Sequence, residues 1–304
     1  MVDDQGLASV ALALSAALGL ELRPRPAQRV TGGSISECYR WDSAVSPFFV
    51  KVGPSANHAM FAAEAAGLEE LCQANAVRVP RVRSIGRNDA HAWLALEWIQ
   101  FTANPTANPT NIATAEAELG ERLALQHRRA AAAFGWHRDN TIGRTPQSNG
   151  WSQSWVAFFR ERRLRYQLDL AGRNGYSGRL SPQADELLER LDRFFTDYQP
   201  VPSLLHGDLW GGNWAAAAGG EPVIFDPAVY YGDREADLAM TRLFGGFGAG
   251  FYAAYEAAWP TDAGARTRGD LYNLYHVLNH VNLFGDGYIP QARAIIRGLL
   301  AQLR

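Results

Sequence analysis

The 304-residue sequence contains few cysteines and almost no excess of charge of either sign. It has two cysteines, Cys38 and Cys72, and 29 basic against 31 acidic residues, which gives a formal net charge of −2. Two thiols argue against a disulfide framework and are typical of a reducing compartment, so we predict a cytoplasmic protein. The balanced charge gives no electrostatic basis for binding nucleic acid, and no Cys/His spacing indicates a zinc site.

Long hydrophobic runs are also missing. No run is long and apolar enough to cross a bilayer, so we predict no membrane partner. Residues 7–20 are rich in Ala and Leu, but Asp3 and Asp4 precede them where a signal peptide carries positive charge, and we predict an N-terminal helix instead. Internal repeats and low-complexity tails are absent. The 47% hydrophobic content is sufficient for a sizeable core and two lobes.

Secondary-structure patterns divide the chain at about residue 100. Strand patterns and one helix at 57–74 occupy the first part, and a loop at 102–111 follows. Helical patterns then dominate, at 112–133, 151–171, 182–197, 235–244, 247–258, 267–284 and 290–303. We therefore predict an α+β protein with a small β-rich N-terminal nucleotide-binding lobe (1–100) and a larger, mostly helical catalytic and substrate lobe (101–304).

Residues 206–213 read HGDLWGGN and are followed by an apolar strand that ends at Asp226. An H-x-D-x-x-x-x-N loop and then an Asp at a strand end is the order found in kinase active sites. In this pattern Asp208 is the candidate catalytic base, and Asn213 and Asp226 are candidate ligands of Mg²⁺. Ordinary turn chemistry is the alternative, since Asp, Asn and Gly dominate turns. The three residues together at these offsets favour phosphoryl transfer.

The predicted small lobe offers a cation and an acid for nucleotide phosphates. Lys51 lies in a hydrophobic strand, where alternation places it opposite Val50 and Val52. Its predicted partner is Glu64 on the following helix, and Glu69 and Glu70 are the alternative partners. A solvated lysine and a surface acid are the alternative for this pair.

Two further segments of this lobe are candidate nucleotide contacts. The glycine-containing turn at Gly32, Gly33 and Ser34 could cover phosphates with its backbone N–H groups, although it is not a G-x-G-x-x-G motif. Residues 94–99 end the lobe where a hinge to adenine is expected, which makes Glu97, Trp98 and Ile99 candidates. A plain buried strand is compatible with that segment too.

Six stretches carry a family resemblance: GGSIS (32–36), FFVK (48–51), GWHRDNTIG (135–143), HGDLWGGN (206–213), FDPA (225–228) and YGDREADLAM (231–240). Through them nearly the whole chain resembles the fructosamine kinase (ketosamine-3-kinase) family, in the aminoglycoside-phosphotransferase-like branch of the two-lobed protein-kinase-like fold. The Leu-Trp-Gly-Gly insert, DNTIG and GDREADLA are the most family-specific parts.

The resemblance implies ATP- and Mg²⁺-dependent phosphorylation of the 3-hydroxyl of a ketosamine, either small or protein-bound. The product is unstable and releases the amine, which is deglycation repair. Trp210 and His206 are the implied substrate contacts, although core packing is the alternative for Trp210. Some relatives carry a cysteine where Ser34 aligns, and here the nearby thiol is Cys38, which we predict to be a buried strand residue.

Other interpretations stay open at this point. A kinase of the same fold acting on an aminoglycoside, choline or another hydroxylated amine is the alternative enzyme, and a nucleotide-binding pseudokinase is a different class. The basic run at 160–165 favours a solvated helix face over an anion-binding surface. Asp233, Arg234 and Asp237 are predicted to brace the catalytic loop through buried polar contacts.

Overall fold

A computed structural model describes residues 2–26, 28–30, 36–102, 109–176, 178, 180 and 183–303. The predicted phosphate turn at Gly32, Gly33 and Ser34 lies outside the described residues. The chain forms two compact units. The first unit comprises residues 1–115 and 215–227, and the second comprises 116–214 and 228–304. Residues 215–227 thus return to the first unit. A single division near residue 100 therefore does not describe the two units.

The first unit is built on a five-stranded antiparallel sheet in the order β1-β2-β3-β5-β4. Its strands are β1 (Gln28–Val30), β2 (Glu37–Trp41), β3 (Phe48–Pro54), β4 (Val82–Arg87) and β5 (His91–Glu97). Its helices are α1 (Asp4–Leu18) and α2 (His58–Ala74).

The N-terminal helix is confirmed and has defined ends. The Asp3 side chain accepts a hydrogen bond from the Gly6 N–H at 2.8 Å, and the chain leaves the helix at Gly19 with φ +64°, where glycine is favoured. Leu14 of this helix packs in one core with Val50 and Val52 of β3. Because strand side chains alternate, Lys51 faces the other side of the sheet, as predicted.

Residues 215–227 enter the first unit as part of a hairpin of β9 (Trp214–Ala216) and β10 (Pro222–Ile224). Val223 packs with Ile99 and Ala217, and the rings of Phe101 and Phe225 lie beside them. These contacts join the chain after β5 to the segment that carries Asp226.

The second unit is mostly helical. Its helices are α3 (Pro109–His127, whose first residues belong to the first unit), α4 (Trp155–Phe159), α5 (Tyr166–Arg173), α6 (Gln183–Glu189), α7 (Glu235–Leu243), α8 (Ala249–Ala258), α9 (Ala265–Phe284) and α10 (Ile289–Gln302). Two small antiparallel sheets pair β6 (Asn140–Ile142) with β7 (Thr145–Gln147) and β8 (Ser203–Leu205) with β11 (Tyr230–Gly232).

Three of the predicted helices differ from the structure. The helix predicted at 182–197 ends at Glu189 and is followed by a 3₁₀ segment, Leu191–Phe195. The helix predicted at 112–133 ends at His127, because Arg129 and Ala131 bond instead with the β8 region, through Leu204 and Pro202. The helix predicted at 151–171 is divided by a π-helical segment, Arg160–Arg165, between α4 and α5. Among the residues that the structure describes, no helix has the length and hydropathy needed to cross a membrane.

Candidate active site

Lys51, Glu64 and Asp226 form a charged cluster inside the first unit. Lys51 Nζ lies 2.7 Å from Glu64 Oε1 and 2.8 Å from Asp226 Oδ1, and the lysine side chain is buried. Glu64 is thus the helix acid that meets Lys51, whereas Glu69 is exposed. The strand β3, the helix α2 and the end of β10 each contribute one member of the cluster.

Electrostatics keeps Lys51 charged in this cluster. Burial opposes the charged form of Lys51, but the carboxylates of Asp226 and Glu64 outweigh it and raise the lysine pKa above its ordinary value. Burial also raises the pKa of Glu64, and Lys51 offsets that increase only in part. A cation held between two acids can grip phosphate oxygens.

The backbone at Asp226 has an uncommon conformation. Its φ is +58°, in the left-handed region that non-glycine residues seldom adopt. Such a conformation costs of the order of 1 kcal/mol and is found where surrounding structure holds a functional side chain. Here the turn at the end of β10 directs the carboxylate to Lys51, with the side chain still 34% exposed.

Asp208 and Asn213 meet within one loop of the second unit. The Asn213 Nδ2 donates to the Asp208 backbone carbonyl at 2.8 Å and lies 3.4 Å from its Oδ2. Since a carbonyl can only accept, the amide NH₂ of Asn213 must face Asp208, and the amide oxygen faces away. Asp208 is half-buried, so its carboxylate retains access to a ligand.

Asp237 holds the backbone of this loop, as predicted. Its two carboxylate oxygens accept the N–H groups of His206 at 2.7 Å and Gly207 at 2.8 Å. Burial raises the pKa of Asp237, but bonds from His127, at 3.2 Å, and from Gly207 lower it below the ordinary value. His127 is itself buried, which lowers its pKa and keeps it neutral.

Gly207 is required by its position. Its φ is +83°, and a Cβ there would lie 2.1 Å from the carbonyl oxygen of Ala228. The N–H of Ala228 in turn donates to the His206 carbonyl at 2.8 Å. The loop that carries Asp208 is therefore held by Asp237, which accepts from its N–H groups, and by Ala228 on its other side.

The two predicted substrate contacts differ in exposure. Trp210 is 41% exposed and its ring lies over Gly212, where a Cβ would approach it to 2.3 Å. His206 is fully buried, and its Nδ1 lies 3.3 Å from the Asp208 N–H, which favours a role inside the loop. Contact of either residue with substrate stays a prediction.

The three predicted hinge residues make different contacts within the first unit: an ion pair, a cation–ring contact and an apolar contact. Arg78, which the sequence did not single out, pairs with Glu97 and Glu221, each at 2.9 Å. The guanidinium of Arg40 lies 5.2 Å from the ring centre of Trp98, and Ile99 packs against Val223. Adenine binding by Glu97, Trp98 and Ile99 stays a prediction.

Two remaining sequence interpretations have clear outcomes. Cys38 is buried in β2, as predicted, and burial raises its pKa to about 11, so the thiol stays protonated. The solvated-face interpretation of residues 160–165 is wrong for Arg163, which is fully buried. The π segment turns this side chain inward, a change that helical periodicity does not predict.

Comparison with known proteins gives concordant matches along nearly the whole chain. The family model described as "Fructosamine kinase" matches residues 7–302. A probable ketoamine kinase of Synechocystis is 43% identical, covering 96% of both chains. A chloroplastic protein-ribulosamine 3-kinase of Arabidopsis thaliana is 41% identical, covering 90% of this chain and 82% of that protein.

A solved structure agrees with these matches. A putative fructosamine-3-kinase from Haemophilus somnus superposes with a TM-score of 0.85 at 27% identity, covering 96% of each chain. The predicted two-lobed, protein-kinase-like α+β fold is thereby confirmed.

Proposed function

The chain belongs to the fructosamine kinase family, and from this premise we propose that it transfers the γ-phosphoryl group of ATP to the 3-hydroxyl of a ketosamine. Use of ATP follows from membership of a kinase family. A ribulosamine or a fructosamine, small or protein-bound, is the proposed acceptor, and removal of sugar adducts from amines is the proposed role. The observation that supports it most is the family match over residues 7–302 in a chain with the complete set of predicted kinase side chains.

Each unit contributes part of the proposed machinery. The first unit contributes Lys51, whose ion pair with Glu64 fixes the ammonium group for the nucleotide phosphates. The second unit contributes Asp208, whose carboxylate orients the sugar hydroxyl and receives its proton. Asn213 holds the backbone of Asp208, so the position of the base depends on that amide.

The proposed metal ligands have suitable donor chemistry. Asp226 offers a partly exposed carboxylate, and the amide oxygen of Asn213 faces away from Asp208. Both are hard oxygen donors, which Mg²⁺ prefers. Among the described residues no three His, Cys, Asp or Glu side chains gather into a metal cluster. When bound, Mg²⁺ neutralises charge on the transferred phosphoryl group.

The proposed sugar contact is Trp210. Its partly exposed indole offers a flat apolar face that stacks well on the C–H side of a sugar ring. His206 is proposed to contribute through the loop that it shares with Asp208. A cytoplasmic location stays a prediction.

A substrate panel tests the proposal. The purified protein is incubated with ATP, Mg²⁺ and, separately, a ribulosamine, a fructosamine, an aminoglycoside and choline, and the initial rate of ADP formation is measured. We expect kcat/KM for a ketosamine to exceed that for the aminoglycoside and choline by at least about 10²-fold, a difference typical of sites built around substrate hydroxyls. A preference for choline or an aminoglycoside would replace the proposed substrate. Nucleotide binding without turnover of any acceptor would favour a pseudokinase.

A further inference from the structure

Arg163 is a buried guanidinium with no carboxylate partner among the residues that the structure describes. It lies in the π segment, with its charge 4.2 Å from the ring centre of Tyr230 and 4.6 Å from that of Phe158. Its Nη1 donates to the Ser148 carbonyl at 2.7 Å. Burying a charge is costly unless hydrogen bonds and aromatic faces compensate for it, so this arginine calls for an explanation.

A chain of amides leads away from this charge in one direction. Arg163 Nη2 donates to Asn149 Oδ1 at 2.7 Å, and Asn149 Nδ2 donates to Asn140 Oδ1 at 2.8 Å. Asn140 Nδ2 then donates to the Val229 carbonyl at 2.8 Å. Because a guanidinium can only donate and a carbonyl can only accept, the orientation of both amides is fixed.

A second chain reaches the neighbouring carbonyl. The Tyr275 hydroxyl donates to Gln147 Oε1 at 2.7 Å, and burial raises the pKa of Tyr275, so the phenol stays protonated. Gln147 Nε2 donates to the Ala228 carbonyl at 3.2 Å and to Asn140 Oδ1 at 2.9 Å. The two chains meet at Asn140, whose oxygen accepts from both Gln147 and Asn149.

Both chains end where the backbone touches the catalytic loop. The Ala228 N–H donates to the His206 carbonyl, and the Ala228 oxygen occupies the space that a Cβ on Gly207 would need. Asp208 is the next residue. Asp237 accepts hydrogen bonds from the N–H groups of this loop. The two series of amides bond to the carbonyls of Ala228 and Val229, and Ala228 contacts the loop on the side away from Asp237.

We propose that Arg163, Asn149, Asn140 and Gln147 are positioning residues that fix Ala228 and Val229, and through them the placement of Asp208. This proposal rests on the proposed role of Asp208 as base. The amides matter because an Asn can donate where an Asp of equal size can only accept. Asn140→Asp therefore sets one oxygen against the Val229 carbonyl and keeps the volume of the side chain.

The test compares Asn140→Asp and the milder Tyr275→Phe with wild type in two measurements. In turnover of a fructosamine, we expect kcat to fall about 10- to 100-fold for Asn140→Asp and by less than 10-fold for Tyr275→Phe, as for loss of buried hydrogen bonds. KM for ATP is expected to stay within twofold. In hydrogen-exchange mass spectrometry, the peptide covering residues 204–213 is expected to exchange faster in both variants.

The control is Ile296→Val, at a buried position of α10 that belongs to neither series of hydrogen-bonded side chains. Ile296→Ala replaces it if a larger loss of Tm must be matched. It is expected to keep kcat and the exchange rate of the 204–213 peptide. Unchanged kcat and exchange in both network variants would overturn the proposal, as would equal losses in the control. If wild type phosphorylates neither a fructosamine nor a ribulosamine, the proposed function fails, and the exchange measurement still decides whether the network holds the loop.

Discussion

The two groups of candidate site residues are stabilised in different ways. In the first unit, full charges meet directly, because Lys51 lies within 2.8 Å of two carboxylates. In the second unit, Asp208 carries the proposed chemistry. The backbone N–H groups of its loop donate to the Asp237 carboxylate, and neutral amides hold the neighbouring segment. In the first unit the residues that hold the cluster are also the ones proposed to act. In the second unit Asp208 is proposed to act while Asp237 and the network amides hold its loop, and Asn213 is proposed to do both.

This difference predicts how substitutions divide between stability and activity. Removing a member of the charged cluster should affect both, since the remaining charges lose their partner. Removing the base should affect activity alone. Removing a residue that supports the loop should lower the free energy of unfolding. It should lower kcat only indirectly, by displacing Asp208.

Asp208→Asn is expected to show the largest effect on activity. Loss of a general base lowers kcat by about 10³-fold, and Tm should stay within about 2 °C because Asn keeps the size of the side chain at this half-buried position. Steady-state kinetics and thermal unfolding measure both quantities, with Asp192→Asn, at an exposed position, as the control. A variant with near wild-type kcat would show that Asp208 is not the base.

Lys51→Met is expected to lose both activity and stability. We expect kcat/KM for ATP to fall about 10²-fold, and the free energy of unfolding to fall by about 3 kcal/mol because Glu64 and Asp226 are left without their cation. Adding Glu64→Gln should restore part of the stability and none of the activity. If Lys51→Met unfolds at the wild-type urea concentration, the ion pairs do not hold the cluster.

Asp237→Asn is expected to reduce both the free energy of unfolding and kcat, each by a moderate amount. Its amide places an NH₂ against the N–H of His206 or Gly207, which should cost about 2 kcal/mol and lower kcat about 10-fold. Urea unfolding and kinetics measure the two effects. Unaltered hydrogen exchange at residues 206 and 207 would contradict the role of Asp237 in holding the loop.

His276→Leu is expected to change the pH dependence of stability by a small amount. Burial lowers the pKa of His276 to about 3, below the unfolded value of about 6.5. Its contribution is therefore fully present above pH 6.5 and is lost by about 1.4 kcal/mol per pH unit as the pH falls toward 3. Urea unfolding at pH 7 and pH 5.5 should show a weaker loss in the variant. Equal losses would show that His276 titrates normally.

The sequence predicts the placement of Lys51 better than the contacts that support the Asp208 loop. Strand alternation placed Lys51 opposite Val50 and Val52, and the structure confirms it. The inward turn of Arg163 and the return of residues 215–227 to the first unit depend on contacts between distant segments. Local periodicity contains no such information.

The amide network was missed for a similar reason. Asn140, Gln147 and Asn149 read as ordinary polar residues of short strands and loops. Asn140 lies within the DNTIG stretch and the other two follow it closely, which is a signal that could have indicated a shared role. Asp237 was predicted to brace the loop together with Asp233 and Arg234, and its bonds to His206 and Gly207 confirm that role. The side chain of Asp233 bonds instead to Tyr272, and that of Arg234 to the carbonyls of Trp259 and Pro260.

The position of the transferred phosphate tests the central claim most directly. A fructosamine is incubated with the enzyme, ATP and Mg²⁺, and the product is examined by two-dimensional ³¹P–¹H NMR before it decomposes. We predict that the phosphorus couples to the proton at carbon 3 of the sugar, and that Asp208→Asn forms none of this product. A phosphate at another carbon, or ADP release without a phosphorylated sugar, would contradict the account.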